Sequence, residues 1–281
     1  MDATKAHDIL CNLAVICVGT MALGLVISWW MRRGATTGGL SLPGKVEARP
    51  YDLIDLGVAA ILIIFLVSPR IAAATQQAVS KDSITGSNTT IIINALSIAI
   101  FSLLLGICVF LFASLLRGRK PVTLFGLSRL SPIMILLWAA MAVIVAYPLM
   151  KGGQYLQELL FNPGEQLQEV VETLLESDNT ALKVVLSVTA IIVAPLAEEI
   201  LFRGYLYAVI KRYSGRCFAG IITALLFAVV HGILPGMMPL FILALILTLA
   251  YELTGCLWVP IAAHSLFNLS QVIQMLNIEN G

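Results

Sequence analysis

Charged residues are scarce in this chain. Only 12% of its 281 residues are charged, against about 25% in a soluble domain, while 59% are hydrophobic and the mean hydropathy is +0.95. The net charge of +1 excludes a strongly basic surface, so no nucleic-acid partner is expected. Such a composition is typical of a polytopic membrane protein surrounded by lipids.

Several familiar motifs are absent. The five cysteines have no spacing that indicates a disulfide framework or a cysteine zinc site. The sequence contains no HExxH, which excludes the zincin arrangement of ligands, and Tyr51-Asp52 has no later GxGD partner for aspartyl intramembrane chemistry. No serine nucleophile motif, repeat of fixed period or low-complexity tract is visible. One helical domain accounts for the whole pattern.

Long apolar runs dominate instead. Each approaches the roughly 20 residues that a helix needs to cross about 30 Å of hydrocarbon. The first run, 9–30, is too long for a signal-peptide core and precedes Met31-Arg32-Arg33, so we expect it to remain as a transmembrane helix. The sequence predicts an all-α, polytopic transmembrane helical bundle of about eight spans, at about 9–30, 52–69, 91–116, 132–150, 181–209, 218–233, 238–254 and 257–276.

Basic residues are distributed unequally between the two sides of this bundle. With the N-terminus outside, the cytoplasmic loops contain 11 of the 17 Lys and Arg residues, and the external segments contain four. The positive-inside rule therefore favours both termini outside. We expect a multi-pass integral membrane protein, in the plasma membrane of a prokaryote or the endoplasmic reticulum of a eukaryote.

The chain divides into three regions. Residues 1–150 hold about four N-terminal spans, 151–180 form an external amphipathic connection, and 181–276 hold the four remaining spans. Within the connection, Asn162-Pro163-Gly164-Glu165 is typical of a helix start, and an acidic amphipathic pattern follows. We expect a solvated connecting helix there, with a substrate gate as the alternative.

Two adjacent carboxylates, Glu198 and Glu199, lie within the fifth apolar run. An ionisable side chain near a bilayer centre costs at least ~2.5–3.5 kcal/mol on insertion scales, so it rarely occurs there without a function. Arg203 follows Glu199 by four residues, which places the two on one helical face. This charged cluster is therefore a candidate functional site.

Two of the three histidines also lie in apolar spans. Phe227 precedes His231 by four residues and His264 precedes Asn268 by four, so each pair shares a helical face. At 1.5 Å per residue, Glu198 and His231 lie about 20 and 22 Å from the predicted cytoplasmic ends of their spans. His264 and Asn268 lie at about 10 and 16 Å. Tilt changes such depths by several ångströms, so the four side chains can meet inside the membrane.

Three prolines, Pro195, Pro235 and Pro260, each lie four residues from one of these candidates. Each would remove a helix hydrogen bond and open the backbone beside a site residue. Open backbone at membrane depth is tolerated chiefly where it faces a cavity or protein. Gly220 and Ala224, four apart on the sixth span, would also let another helix approach closely.

Three short motifs, EExxxR, FxxxH and HxxxN, occur in this order on three apolar spans. They read Glu198-Glu199-Ile-Leu-Phe-Arg203, Phe227-Ala-Val-Val-His231 and His264-Ser-Leu-Phe-Asn268. In this respect the chain resembles the CPBP family of intramembrane proteases, which includes type II CAAX prenyl endopeptidases and bacteriocin-processing or bacteriocin-immunity proteins. The resemblance covers about residues 181–276. It implies an intramembrane endopeptidase whose substrate is a membrane-associated protein or peptide, lipidated or not.

The resemblance also implies a role for each matched residue. Glu198 and His231 would activate a water as general base. His264 and Asn268 would hold the oxyanion. The supporting residues would be Glu199, Arg203 and Phe227.

Three alternatives stay open. Glu198, His231 and His264 could bind Zn²⁺ with a water in the open position, although we prefer a metal-free mechanism and expect no cofactor. A non-proteolytic scaffold or immunity protein would cleave nothing. A proton-coupled transporter would also use buried Glu and His side chains, but no inverted repeat is visible.

Overall fold

The computed structural model describes residues 45–46, 51–79, 97, 100, 103–112, 118, 120–161, 180–231 and 236–279, without the side chains of 69–79, 180–182 and 276–279. Within these ranges the chain forms helices and turns and no β-strand. The predictions for the span 9–30, for a helix start at Asn162 and for Pro235 lie outside the described residues.

The described residues form eight helices, numbered in chain order. The bounds are α1 (Leu53–Val79), α2 (103–111), α3 (Pro121–Leu124), α4 (Pro132–Phe161), α5 (five consecutive helical segments from Thr180 to Ser214), α6 (Arg216–His231), α7 (Met237–Thr254) and α8 (Trp258–Glu279).

Several helices have the length and character of membrane spans. In the described part, those long and apolar enough to cross a membrane are Pro132–Phe161, Lys183–Ser214 and Met237–Thr254, with shorter apolar helices at Leu53–Ser68 and Arg216–His231. On α4, Ile133 and Ile144 are each 71% exposed, which suits a surface that faces lipid. The prediction of a helical membrane protein is confirmed. The count of eight spans stays a prediction.

Helix α4 extends past its predicted end near residue 150 as far as Phe161. Its last turns pack against the start of α7. A Cβ on Gly153 would overlap the side chain of Ile242, and Gln157 Oε1 accepts the backbone N–H of Met238 at 2.9 Å. Because the first N–H groups of a helix have no partner within it, this side chain caps α7 and joins it to α4.

Pro260 does not open the backbone of its helix, so that expectation is wrong. Helix α8 begins at Trp258, which places the proline in the first turn. The N–H groups of a first turn have no partner within the helix, so proline removes no hydrogen bond there.

Two apolar clusters form the interior. The first joins α1, α2, α3, α5, α6, α7 and α8 and includes Tyr205 and Phe227. The second joins α4, α7 and α8 and includes Ala139, Ala146 and Leu247. The small alanines of α4 let its backbone approach α7 and α8 closely. Helices α7 and α8 contribute to both clusters and therefore join them.

The turn between α7 and α8 is fixed against the segment that follows α3. Gly126 and Gly255 have φ values of 63° and 65°, in the left-handed region that favours glycine. A Cβ on Gly126 would overlap the carbonyl oxygen of Gly255. The N–H of Leu257 donates to the carbonyl of Phe125 at 3.0 Å, so α8 begins at a defined point.

Candidate active site

The two adjacent carboxylates lie between two π-helical segments of α5. Thr189–Val193 and Ile200–Tyr207 are π-helical, and the α-helical piece between them, Ala194–Glu199, ends at the carboxylate pair. Segments of π-helix are rare and occur frequently at functional sites. The irregular backbone of α5 therefore marks the same place as the charged residues.

Pro195 leaves one carbonyl of α5 without a backbone partner. The N–H of Ala194 donates to Thr189 O, five residues back. In this register the next donor would be the N–H of residue 195, which proline lacks, so the carbonyl of Ala190 goes unpaired. Asn268 Nδ2, from α8, donates to that carbonyl at 2.7 Å. The bond from Asn268 agrees with the loss of a helix donor at Pro195, and the opening of the backbone there stays a prediction.

Glu199 and Arg203 form a buried ion pair. Arg203 Nη1 donates to Glu199 Oε1 at 2.6 Å, and the side chains are 1% and 0% exposed. The guanidinium also donates from Nη2 to Ala244 O at 3.2 Å and from Nε to Thr248 Oγ1 at 3.5 Å. A buried charge requires such partners, because desolvation otherwise outweighs the attraction of the pair.

His264 is bound to the same carboxylate oxygen. Its Nδ1 lies 3.0 Å from Glu199 Oε1, and the side chain is buried. A carboxylate paired with arginine only accepts hydrogen bonds, so His264 Nδ1 carries a proton. The Nε2 atom is then an acceptor in the neutral ring and a donor in the charged one.

The tautomer of His231 is set by its own helix. Its Nδ1 lies 2.7 Å from the carbonyl oxygen of Phe227. Because a carbonyl only accepts, Nδ1 carries the proton, and Nε2 of the neutral ring is an acceptor. That Nε2 atom is directed towards Glu198.

Glu198 lies between the two imidazoles. Its Oε2 atom is 3.9 Å from His231 Nε2 and 3.9 Å from His264 Nε2. These distances exceed a direct hydrogen bond, and Oε2 has no hydrogen-bond partner among the described residues. Three acceptor atoms therefore converge on one small space, at a spacing that a bridging water suits.

The ring of Phe227 is buried beneath these groups. Its centroid lies 4.7 Å from Arg203 Cζ, 4.5 Å from the ring of His231 and 5.8 Å from the ring of His264. Contact with a guanidinium over the ring face is a cation–π interaction, which is stronger where water is excluded. Phe227 thus supports all three side chains at once.

Direct contacts join most of the residues that the sequence predicted. They connect Glu198, Glu199, Arg203, Phe227, His231 and His264. Asn268, one turn beyond His264, contacts α5 at Ala190 instead, eight residues before Glu198 and about 12 Å along the helix. The catalytic roles of these residues stay predictions.

Glu198, His231 and His264 supply donor atoms of the kinds that zinc accepts. Their arrangement is less suitable. Within the described residues, no group of three or more His, Cys, Asp or Glu side chains has the geometry to hold a metal ion. The set therefore fits zinc by chemistry but not by position, and the metal-free mechanism stays a prediction.

Two polar groups of the site were not predicted from the sequence. The carbonyl of Ala244 and the hydroxyl of Thr248 both come from α7, which carries none of the three motifs. A threonine in an apolar helix commonly bonds a carbonyl of its own helix, so its presence alone does not indicate a site.

A second polar cluster lies nearer the C-terminal end of α5. Glu252 Oε1 accepts the hydroxyl of Tyr207 at 2.5 Å and the ammonium of Lys211. The same ammonium donates to Val46 O at 2.9 Å, and Lys45 N–H donates to Glu252 O at 3.0 Å. The sequence feature that could have indicated this cluster is Glu252, an ionisable residue near the end of the span 238–254.

Comparisons with known proteins agree with this site. Residues 180–270 match the family described as "Type II CAAX prenyl endopeptidase Rce1-like". Over 85 residues the chain is 33% identical to "Putative membrane peptidase YdiL" of Bacillus subtilis (strain 168). The aligned segment covers 30% of this chain and 35% of the relative. The chain thus matches about a third of that relative's length. No solved structure matches the chain. The family match covers the segment that contains the three motifs.

Proposed function

We propose that the protein is an intramembrane endopeptidase that hydrolyses a peptide bond of a membrane-associated protein with an activated water. The observation that carries this proposal is the position of Glu198, whose Oε2 lies 3.9 Å from Nε2 of both His231 and His264. In both histidines Nδ1 is already bonded elsewhere. The match of residues 180–270 to a protease family supports the same activity.

Glu198 and His231 act together as the general base. A water between three acceptors can donate to two of them, and its oxygen lone pair is then available to attack a carbonyl carbon. As the new C–O bond forms, one water proton passes to this pair. The same proton later passes to the departing amine nitrogen as the C–N bond breaks.

His264 and Asn268 donate to the oxyanion. In the resting site Nε2 of neutral His264 is an acceptor. Once Glu198 passes the water proton on to it, Nε2 donates to the oxyanion, and the carboxylate of Glu199 beside Nδ1 stabilises the charge. The amide of Asn268 has two N–H groups. One is bound to Ala190 O, which orients the other.

The substrate is a segment of a membrane-associated protein that reaches the site at membrane depth. The description of the matched family contains the words "CAAX prenyl endopeptidase", so we include an isoprenoid-modified peptide among the proposed substrates. Two peptides of one sequence, with and without the isoprenoid, distinguish the two classes. Faster cleavage of the modified peptide is the expected result.

Substitution of Glu198 by Gln tests the mechanism. With purified protein in liposomes, we expect Glu198→Gln to lower kcat for a membrane peptide by about 10²–10⁴-fold, the typical contribution of general-base catalysis. Glu158→Gln is the matched control, because Glu158 is exposed on α4 and bonds only Gln154 among the described residues. A normal rate for Glu198→Gln would exclude this base. A wild-type protein that cleaves no peptide would favour the scaffold or transporter alternatives.

Zinc dependence has a separate test. We expect activity to survive a strong zinc chelator and elemental analysis of the active protein to find less than one zinc per chain. Complete loss of activity that added zinc restores would replace the metal-free mechanism with a zinc-bound water.

A further inference from the structure

Thr248 of α7 occupies a closed hydrogen-bonded arrangement with Arg203. Its Oγ1 donates to the carbonyl of Ala244 at 2.8 Å, the same carbonyl that accepts Arg203 Nη2 at 3.2 Å. Since the hydroxyl proton is used in this bond, the oxygen lone pairs are left to accept Arg203 Nε at 3.5 Å. Two nitrogen atoms of the guanidinium are thereby held by one turn of α7.

The methyl group of Thr248 has a different neighbour. Thr248 Cγ2 lies 3.7 Å from the position that a Cβ on Gly220 of α6 would take, so the methyl faces α6 at the glycine. The two branches of this side chain thus face two helices, with the methyl towards α6 and the hydroxyl towards α5. Branching at Cβ restricts χ1, which limits the directions that the hydroxyl can take.

The position of Arg203 affects His264 through one shared acceptor atom. Glu199 Oε1 accepts both Arg203 Nη1 at 2.6 Å and His264 Nδ1 at 3.0 Å. Moving the guanidinium therefore moves the acceptor that selects the Nδ1–H form of His264. An imidazole without that acceptor exchanges between its two tautomers.

We propose that Thr248 is a positioning residue, which fixes Arg203 and, through Glu199, keeps the proton of His264 on Nδ1 so that Nε2 faces Glu198. The inference about the tautomer is independent of catalysis, whereas its effect on rate rests on the proposed function. Helix α7 is thereby part of the site, although it carries none of the three motifs.

Three variants isolate the hydroxyl. Thr248→Val keeps the shape and removes the hydroxyl, while Thr248→Ser keeps the hydroxyl and removes the methyl. Thr223→Val is the matched control, because Thr223 is equally buried and, within the described residues, its hydroxyl donates only to Ala219 and Gly220 of its own helix. If Thr248→Val does not fold, Thr248→Ala removes the same hydroxyl without overpacking.

The first readout is the ¹⁵N spectrum of protein labelled at histidine. The chain has only three histidines, so His264 is assigned from a His264→Gln variant. We expect the Nδ1–H form of His264 in the wild type, in Thr248→Ser and in Thr223→Val, and a mixture of tautomers in Thr248→Val. An unchanged His264 signal in Thr248→Val would overturn the proposal, as would the same mixture in Thr223→Val.

The second readout is peptide cleavage. Thr248→Val should lower kcat about tenfold at unchanged KM, the lower end of what outer partners of a site residue contribute, and Thr248→Ser should restore it. Loss of activity in Thr248→Ser equal to that in Thr248→Val would assign the effect to packing and contradict the proposal. If the wild type cleaves no peptide, the proposed function fails, and the ¹⁵N spectra still decide the role of Thr248.

Discussion

At the residue scale, Glu198 and Glu199 are neighbours with different environments. Glu199 is fully buried and its Oε1 binds Arg203 and His264. Glu198 has a side chain that is 21% exposed, and its nearest charged or polar partners are two imidazole nitrogens at 3.9 Å. Glu198 is therefore available to a substrate, whereas Glu199 is held by contacts within the protein.

This difference predicts effects of different size on the free energy of unfolding. Glu199→Gln leaves the charge of Arg203 buried without compensation and should lower the free energy of unfolding by about 3–5 kcal/mol. Glu198→Gln removes no direct hydrogen bond and should change it by less than about 1 kcal/mol. Denaturant unfolding of the purified proteins in one detergent, with Glu158→Gln as control, measures both. Equal losses for the two variants would show that the carboxylates are equivalent.

Most residues of the site could be predicted from sequence, because charge in an apolar run is conspicuous. Glu198, Glu199, Arg203, His231 and His264 all satisfy that criterion. Thr248 does not, since a hydroxyl in a membrane helix can be satisfied by its own backbone. The carbonyls of Ala190 and Ala244 could not be predicted either, because the type of a side chain does not indicate which donor its main-chain oxygen will bind.

At the scale of the element, α5 combines a proline with a side chain from another helix. Pro195 withholds the donor that the carbonyl of Ala190 would receive, and Asn268 provides one from α8. The contact therefore ties α8 to α5 close to the predicted oxyanion donors. Sequence indicated an open backbone at the proline, but it could not indicate which side chain would bind there, because the pairing depends on how the two helices pack.

A double-mutant cycle separates the two roles of Asn268. Asn268→Ala should lower stability by about 1–3 kcal/mol, because a buried carbonyl loses its donor. In a Pro195→Ala background the chain regains a backbone N–H for Ala190, so the same change should cost less, with a coupling of about 0.5–3 kcal/mol. Additive losses in unfolding experiments would contradict this pairing. A fall in kcat that persists in both backgrounds would assign Asn268 to the oxyanion.

The bounds of the helices are a second feature that the sequence predicts only in part. The apolar run beginning at Pro132 predicts an end near 150, whereas α4 includes Phe161, and Gln157 of this extension binds the start of α7. The pattern around Pro260 predicts an interruption, whereas the proline occupies a first turn. The local pattern therefore located these helices but not their bounds.

At the scale of the whole molecule, three basic residues assigned to cytoplasmic loops meet at one end of the described structure. Arg129 Nη1 donates to Lys45 O at 2.9 Å, and Lys45 N–H and the Lys211 ammonium both bind Glu252. These residues come from distant parts of the sequence, so residues 45–46 are attached to the ends of α5 and α7. Their meeting is consistent with the predicted sidedness, which stays a prediction.

Cysteine labelling tests the sidedness. Cys217 is exposed at the start of α6, beside Arg216. In a variant that retains only this cysteine, we expect a membrane-impermeant maleimide to label inverted vesicles but not intact cells. The control is Lys151→Cys in a cysteine-free background, which should react in intact cells because the positive-inside rule assigns it to the outer face. The reverse pattern would invert the topology.

The glycine turn between α7 and α8 limits how the protein can be engineered. Gly255 lies against Gly126, and the N–H of Leu257 is bonded to the carbonyl of Phe125, so the start of α8 is fixed. The position of His264 depends on the number of residues between this start and the histidine. One residue inserted after the start of α8 would rotate His264 by about 100° about the helix axis and shift it by about 1.5 Å along the axis. Affinity tags, fluorescent reporters and permuted termini therefore cannot be placed in this turn, however exposed its flanking residue Trp258 is to reagents.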